Sequence, residues 1–412
     1  MDLKDRVEEQ IQSITSGAVE LIPGEEMRAK VQKSLDTGKP LTVKLGVDPT
    51  RPDLHIGHSV PLNKLRDFQQ LGHQIVLIIG DFTALIGDPS EQDTTRPVLT
   101  PEEVERNART YVEQAGKIID TSTARLARNS EWLAPLTFKD VLELTSKFTV
   151  ARILERDDFN RRYREQRPLG LHEFMYPVMQ AYDSVVLEAD VEIGGTDQKF
   201  NLLAGRNLQR AFGQEPQCVL TLPLLEGTDG VQKMSKLLGN DIGLTDNPRE
   251  MFGKLMSIPD EAMWKYFQLV TRLGPDEIEE IRSQVIAGSM NPRDAKEKLA
   301  KEIVEVYHGP EAAAREVDEF RRVFSMGELP DHVDAAKVPS SKFVGGSIWV
   351  VDMLVFLGLA STNGEARRLI RGGGVTLDGE RLEDADQELT IDRVNGRVLR
   401  KGRKTFLRIE VT

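Results

Sequence analysis

At 412 residues the chain exceeds what one core ordinarily organises, so two or three domains are expected. With 39% hydrophobic and 29% charged residues, and no apolar run near the roughly 20 residues of a membrane helix, it reads as a globular protein with no membrane partner. The net charge of −12 argues against non-specific coating of nucleic acid, and the charge is uneven: residues 345–412 hold 11 basic against 10 acidic residues, leaving the whole deficit on the rest.

The N-terminal MDLKDRVEEQIQSI mixes acidic and apolar residues at helical spacing and lacks the basic start and apolar middle of a signal peptide, so a cytoplasmic location is expected. LTVKLGV (41–47) predicts a strand, GHSVPLNKLRDFQQLG a helix capped near Gly72, and QIVLIIGDF a strand buried on both faces. Strand, helix, strand in that order is a parallel crossover unit. TPEEVERNARTYVEQAGKII opens with Thr100 as N-cap, Pro101 at the first helical position and Glu103 as capping-box partner. A second crossover unit runs from VEIGG (191–195) through DQKFNLLAGRNLQRAFG to CVLTLPLLEG (218–227). The single cysteine, Cys218, excludes intramolecular disulfides and a multi-cysteine zinc cluster; within that apolar run it reads as core.

These patterns predict an α/β fold with a doubly wound, Rossmann-like parallel sheet over 1–230, then a lysine-bearing loop and connection at 231–246. An all-α domain over 247–326 and a Pro, Ser and Gly-rich linker at 327–346 follow. Residues 347–412 predict a small α/β module: two helical segments, IWVVDMLVFLGL and NGEARRLIRGG, then β-like pieces VTLDGERL, RVLRKG and TFLRIEVT.

In open α/β sheets ligands bind beyond the carboxyl ends of the strands, which places DPTRPDLHIGHS (48–59) where chemistry is expected. His55 and His58 fall three apart at a helix entry, where backbone N–H groups and the helix dipole already favour an anion; two imidazoles add donors aimed at the same place. Gly57 between them leaves room for a flat base or sugar. A histidine at a helix start can also serve only as a cap. In LEGTDGVQKMSKLLGN (225–240), Lys233 and Lys236 sit on a loop between Gly230 and Gly239. Such a loop can be a plain solvated turn, or it can close over a leaving group and neutralise it in the transition state.

HIGH at 55–58 followed by KMSK at 233–236 resembles the paired signature of class I aminoacyl-tRNA synthetases. The family motif commonly ends in Ser or Thr where this chain has Leu237. Three further segments, IGDPS (86–90), YPVMQAYD (176–183) and GGTDQ (194–198), resemble the tyrosyl-tRNA synthetases, and VKLGVDPTRPDLH resembles the branch of them that bears lysine at position 44. From that resemblance, catalysis would fall to His55, His58, Lys233 and Lys236. ATP would be held by Asp48, His55, Gly57, His58, Gly194, Asp197, Lys233, Ser235 and Lys236. Tyrosine would be held by Asp88, Tyr176, Gln180, Asp183 and Gln198. Asp183 would accept the phenolic hydrogen, although an aspartate there could also cap a turn, and Asp88, Tyr176 and Gln180 would meet the ammonium. Lys44 replaces the tyrosine that other bacterial members carry, so one phenol contact is missing. The spacing 176, 180, 183 is helical and puts these side chains on one face.

The resemblance implies activation of tyrosine by ATP, then transfer to the terminal adenosine of its tRNA, in a homodimer. No metal-ligand cage stands out in the sequence, so Mg²⁺ is expected to arrive with ATP. EARRLIRGGGVTLDGERL resembles the RNA-binding module of ribosomal small-subunit protein four; of Arg367, Arg368 and Arg371 on its helix, at least two would project together toward a phosphate backbone, the alternative being a plain solvated helix face. Two alternatives are a tryptophanyl-tRNA synthetase, which would not need the Tyr176, Gln180, Asp183 set, and a non-catalytic RNA-binding protein, in which HIGH and KMSK would have decayed.

Overall fold

A computed structural model describes residues 2–89, 99–323, 329, 333–402 and 405–412. Two compact units divide it, Met1–Ala314 and Arg315–Thr412.

The first unit is organised by a six-stranded sheet: β1 (Glu20–Ile22), β2 (Thr42–Val47), β3 (Gln74–Ile79), β4 (Arg125–Arg128), β5 (Val191–Gly195) and β6 (Cys218–Leu222), in the order β1-β6-β5-β2-β3-β4. All neighbours are parallel except β1, which runs antiparallel along β6. The four predicted strands are present. β1 and β4 carry no legible signal, being three residues long in one case and flanked by arginines in the other. From β2 the chain winds outward through β3 and β4 on one side and returns through β5 and β6 on the other. The order therefore reverses between β2 and β5, the switch point beyond whose carboxyl ends open α/β sheets bind their ligands.

The helix after β2 spans Ile56–Gln70, buries Ile56, Val60, Leu62, Leu65 and Phe68 at helical spacing, and ends before Gly72, whose φ of 85° only glycine adopts without strain. Helix Pro101–Ala115 begins with the expected box: Glu103 N–H donates to Thr100 Oγ1 at 3.3 Å and Thr100 N–H to Glu103 Oε2 at 2.9 Å. Helix Met175–Leu187 packs Val178, Met179, Ala181 and Val185 against Ala204 and Leu208 of helix Lys199–Ala211, which follows β5.

Beyond residue 247 the described chain is helical up to Val323: Pro248–Ser257, Met263–Val270, Pro275–Ile286, Pro292–His308 and Pro310–Arg321. Three of these start with proline directly after Asn247, Gly274 or Asn291 as cap, where a missing N–H costs nothing. Residues 324–328 and 330–332, the end of the expected helical domain and the start of the expected linker, lie outside the described residues.

In the second unit, β7 (Asp334–Val338), β8 (Ser347–Trp349), β9 (Val375–Leu377), β10 (Glu380–Arg381), β11 (Glu388–Thr390), β12 (Val398–Lys401) and β13 (Thr405–Val411) form a sheet β10-β9-β12-β13-β7 and a pair β11-β8. β7 falls inside the stretch expected as linker. It runs parallel to β13 from Asp334↔Leu407 to Val338↔Val411, and only Val338 is buried, so no alternation announced it. IWVVDMLVFLGL is not helical throughout: Ile348 and Trp349 belong to β8, and the helix is Val350–Phe356. Helix Asn363–Arg371 matches its prediction, burying Ala366 and Ile370 on the core of Val350, Met353, Leu354 and Leu399.

Candidate active site

The chain leaves β2 at Val47 and enters its helix at His55, the N-cap. His55 N–H donates to His58 Nδ1 at 3.2 Å, so the neutral His58 ring carries its proton on Nε2 and presents it as a donor. The two rings lie 3.9 Å apart. Burial lowers His55 to about 2 and His58 to about 4, and the ammonium groups of Lys233 and Lys236 push both the same way. At neutral pH both rings are uncharged donors. Among the described residues, His55 Nδ1 is buried with no hydrogen-bond partner. Gly57 has a reason beyond ligand access: a Cβ there would lie 2.9 Å from His55 Nδ1.

The lysine loop meets this segment. Ile56 N–H donates to Ile242 O and Leu244 N–H to Leu54 O, both at 2.9 Å. Met234, buried within the exposed loop, donates its N–H to Leu225 O at 2.9 Å, and its Cβ would lie 3.7 Å from a Cβ on Gly57. Lys233 Nζ pairs with Asp197 Oδ2 at 2.7 Å and Lys236 Nζ with Asp53 Oδ2 at 3.0 Å. Leu237 is exposed. Within the motif, Ser235 Oγ accepts from Leu237 N–H at 3.2 Å, while Asn240 accepts from Ser235 N–H at 2.8 Å and donates to Asp229 at 2.7 Å.

Helix Met175–Leu187 supplies the other end. Tyr176 Oη donates to Asp48 Oδ2 at 2.8 Å, and burial, with Asp48 beside it, pushes the phenol well above its usual range. Gln180 Nε2 donates to Glu192 Oε1 at 3.0 Å. Asp183 accepts from Trp132 Nε1 at 2.8 Å and Asn129 Nδ2 at 3.5 Å; burial raises its carboxyl to about 7 against the opposing pull of Lys44 and these two donors. The cap alternative for Asp183 therefore fails, because its carboxylate is spent on side chains from another segment. Asp88 accepts from Gln198 Nε2 at 2.8 Å and meets the buried Arg156 guanidinium at 3.3 Å. Gly194 lies in β5 with Leu202 and Gln198 packed against it, and Gly195 leads into Asp197.

Lys44 Nζ lies 3.0 Å from Glu192 Oε1 and donates to Gln180 O at 3.3 Å, both side chains being almost wholly buried. Glu192, Trp132, Asn129, Arg156, Asp53 and Asn240 escaped the sequence reading. The available signal was a charge inside each of two apolar strands, Lys44 in LTVKLGV and Glu192 in VEIGG. In the second unit Arg367, Arg368 and Arg371 are exposed, but Arg367 stacks over the Trp349 ring at 4.9 Å and lies 3.9 Å from Asp386. Cys218 is buried in β6 and its thiol is raised by burial to about 11, as suits core. Among the described residues no group of three or more His, Cys, Asp and Glu side chains could hold a metal ion, and no helix is long and apolar enough to cross a membrane.

Residues 36–325 match the family model of class I tRNA synthetases of the W and Y group, and residues 332–409 match that of the tyrosine–tRNA ligase SYY-like C-terminal domain. The tyrosine–tRNA ligase of Moorella thermoacetica is 52% identical over 99% of this chain and 97% of its own length. That of Thermotoga maritima is 51% identical over 98% and 97%. The fold is shared with a C-terminally truncated mitochondrial tyrosyl-tRNA synthetase of Aspergillus nidulans, at a TM-score of 0.62 and 21% identity over 78% of this chain and 100% of that one. At half identity over nearly its whole length, the chain belongs to the tyrosine–tRNA ligase family of class I tRNA synthetases.

Proposed function

We propose that the protein is a tyrosine–tRNA ligase: it joins tyrosine to ATP as tyrosyl-adenylate, releasing pyrophosphate, and passes the tyrosyl group to a hydroxyl of the terminal adenosine of its tRNA, releasing AMP. The observation that carries the reading is the meeting of the HIGH and KMSK segments, joined by backbone bonds and by the pairing of Lys236 with Asp53.

Tyrosine lies with its phenol toward Asp183 and its ammonium toward Asp88, Tyr176 and Gln180, with Gln198 near its carboxylate. ATP lies across Gly57, Gly194 and Ser235, its ribose on Asp197, with Asp48 beside the nucleotide. The tyrosine carboxylate attacks the α-phosphorus and pyrophosphate departs. No side chain acts as nucleophile or base; orientation and charge stabilisation suffice. His55 and His58 donate as neutral groups to oxygens whose charge grows in the transition state, and Lys233 and Lys236 exchange Asp197 and Asp53 for the leaving phosphates. Mg²⁺ enters with the phosphates of ATP as part of the substrate.

The exposed face of helix Asn363–Arg371 meets tRNA, with Arg368 and Arg371, three apart, as its phosphate contacts. Phe138, Leu142, Val150 and Leu171, large apolar side chains exposed within residues 138–171, support a homodimer that covers them. A cytoplasmic location accords with this role in translation. Pyrophosphate exchange with a panel of amino acids tests the reading: tyrosine should drive it far above every other amino acid, and exchange driven chiefly by tryptophan, or by none, would overturn it.

A further inference from the structure

A lysine 1% exposed in a central parallel strand has lost nearly all its water, and an apolar pair of like volume would hold β2 to β5 at least as well as Lys44 and Glu192 do. Stability alone gives no reason for the pair, so its surroundings are informative. Lys44 and Glu192 are register partners across β2 and β5. Glu192 is saturated: Oε1 takes Lys44 Nζ and Gln180 Nε2, each at 3.0 Å, and Oε2 takes Ser184 Oγ at 3.3 Å and Gln217 Nε2. A carboxylate bonded on every side fixes the ammonium against it. Lys44 Nζ also donates to the carbonyl of Gln180, so the cation stands under the helical turn that ends in Asp183.

The charges acting on Asp183 are Lys44 from β2 and Glu192 from β5, and the attraction of Lys44 outweighs the repulsion of Glu192. Trp132 and Asn129 meet it as neutral donors. A buried carboxylate with two neutral donors and no cation nearby would take up a proton. A carboxylate that must accept the phenolic hydrogen has to stay charged, because a protonated one competes as a donor.

Resting on the tyrosine reading above, we propose that Lys44, locked by Glu192, is a positioning residue that favours the charged form of the Asp183 carboxylate against its burial and so sets how strongly tyrosine is preferred over phenylalanine. Lys44 thereby takes the place of a direct second contact to the phenol.

The test uses the full-length protein with Lys44→Met combined with Glu192→Leu, an apolar replacement of the whole pair that leaves neither charge stranded. Two quantities are read: kcat/KM for tyrosine over phenylalanine in pyrophosphate exchange from pH 6 to 9, and the infrared band of the protonated Asp183 carboxyl in the unliganded protein, assigned by its loss in Asp183→Asn. The tyrosine preference should fall about 5-fold at neutral pH, recovering toward high pH, and the band should persist about one pH unit higher than in the unmodified protein. A folded double variant with unchanged preference and unchanged titration overturns the proposal. If the double variant does not fold, Glu192→Gln decides: removing the repelling charge must make the band vanish at lower pH, and an unmoved band refutes the role of the pair. Should the unmodified protein fail to activate tyrosine, the reading of the preceding subsection falls, while the infrared titration still decides whether Lys44 governs Asp183.

Discussion

At the phosphate end of the site, Lys233 and Lys236 stand on a loop with 45% and 24% of their side chains exposed, each paired with one aspartate; at the phenol end, Lys44, Asp183 and Glu192 are at most 3% exposed and bonded on several sides. Exposed pairs are worth about 0–1 kcal/mol, so a polyphosphate can displace Asp53, 40% exposed, at small cost, whereas Asp197, 11% exposed, is held more firmly. Breaking a buried pair by removing one partner costs about 3–5 kcal/mol. One end is therefore built to be rearranged by its ligand and the other to be ready before it arrives, as suits charge that moves during reaction and a hydroxyl that does not.

The comparison breaks most visibly at Asp183. Replacing it with alanine should lower the tyrosine-over-phenylalanine ratio of kcat/KM by about 10³-fold or more, since a site built around a substrate hydroxyl draws its discrimination from that partner. A ratio that survives would move hydroxyl recognition elsewhere. At the other end, His55→Asn and His58→Asn should each slow adenylate formation about 10²-fold in pre-steady-state kinetics while tyrosine affinity holds within about 3-fold. A loss in affinity equal to the loss in rate would mean that the rings shape the pocket instead of serving the transition state.

A smaller effect should come from ending the chain at Val323, a cut that keeps β7 from being stranded without β13. Pyrophosphate exchange should persist and tRNA charging should fall about 10-fold, with a weaker salt dependence. Normal charging would discard the tRNA role of the second unit.

The last effect is on stability. His55 and His58, together with the buried His73, also lowered to about 4, refuse protons that the unfolded chain accepts below about 6.5, so stability should fall as pH drops from about 6.5 toward 4. Asp183 works in the opposite sense: its folded carboxyl, at about 7, keeps a proton the unfolded chain has lost above about 4, which lowers stability as pH rises toward 7. Three groups outweigh one, and the net gain from pH 5 to 6.5 should be on the order of 3 kcal/mol in urea melts. Asp183→Asn should steepen that rise, and the double substitution His55→Asn, His58→Asn should flatten it.

Much of this was legible along the chain. The helix after β2, the box at Thr100 and the strand at 191–195 follow from spacings and caps spanning a few residues, and local sterics read them in the same way. HIGH and KMSK were legible as motifs, and their chemistry follows from donor types on loops and a helix entry. β7 was not, because a strand with a single buried residue is held by backbone bonds to β13 and leaves no side-chain pattern.

What required the fold was the choice of partners. Lys44 and Glu192 stand 148 positions apart and meet because β2 and β5 are neighbours in one register. Trp132 and Asn129 reach Asp183 only through packing, and Asp53 and Asp197 reach the lysines only because two loops converge. A charge inside an apolar strand announces that a counter-charge is needed, because desolvation demands one. Which residue provides it is settled by register and packing between segments far apart in the chain, and neither is a property of any single stretch of residues.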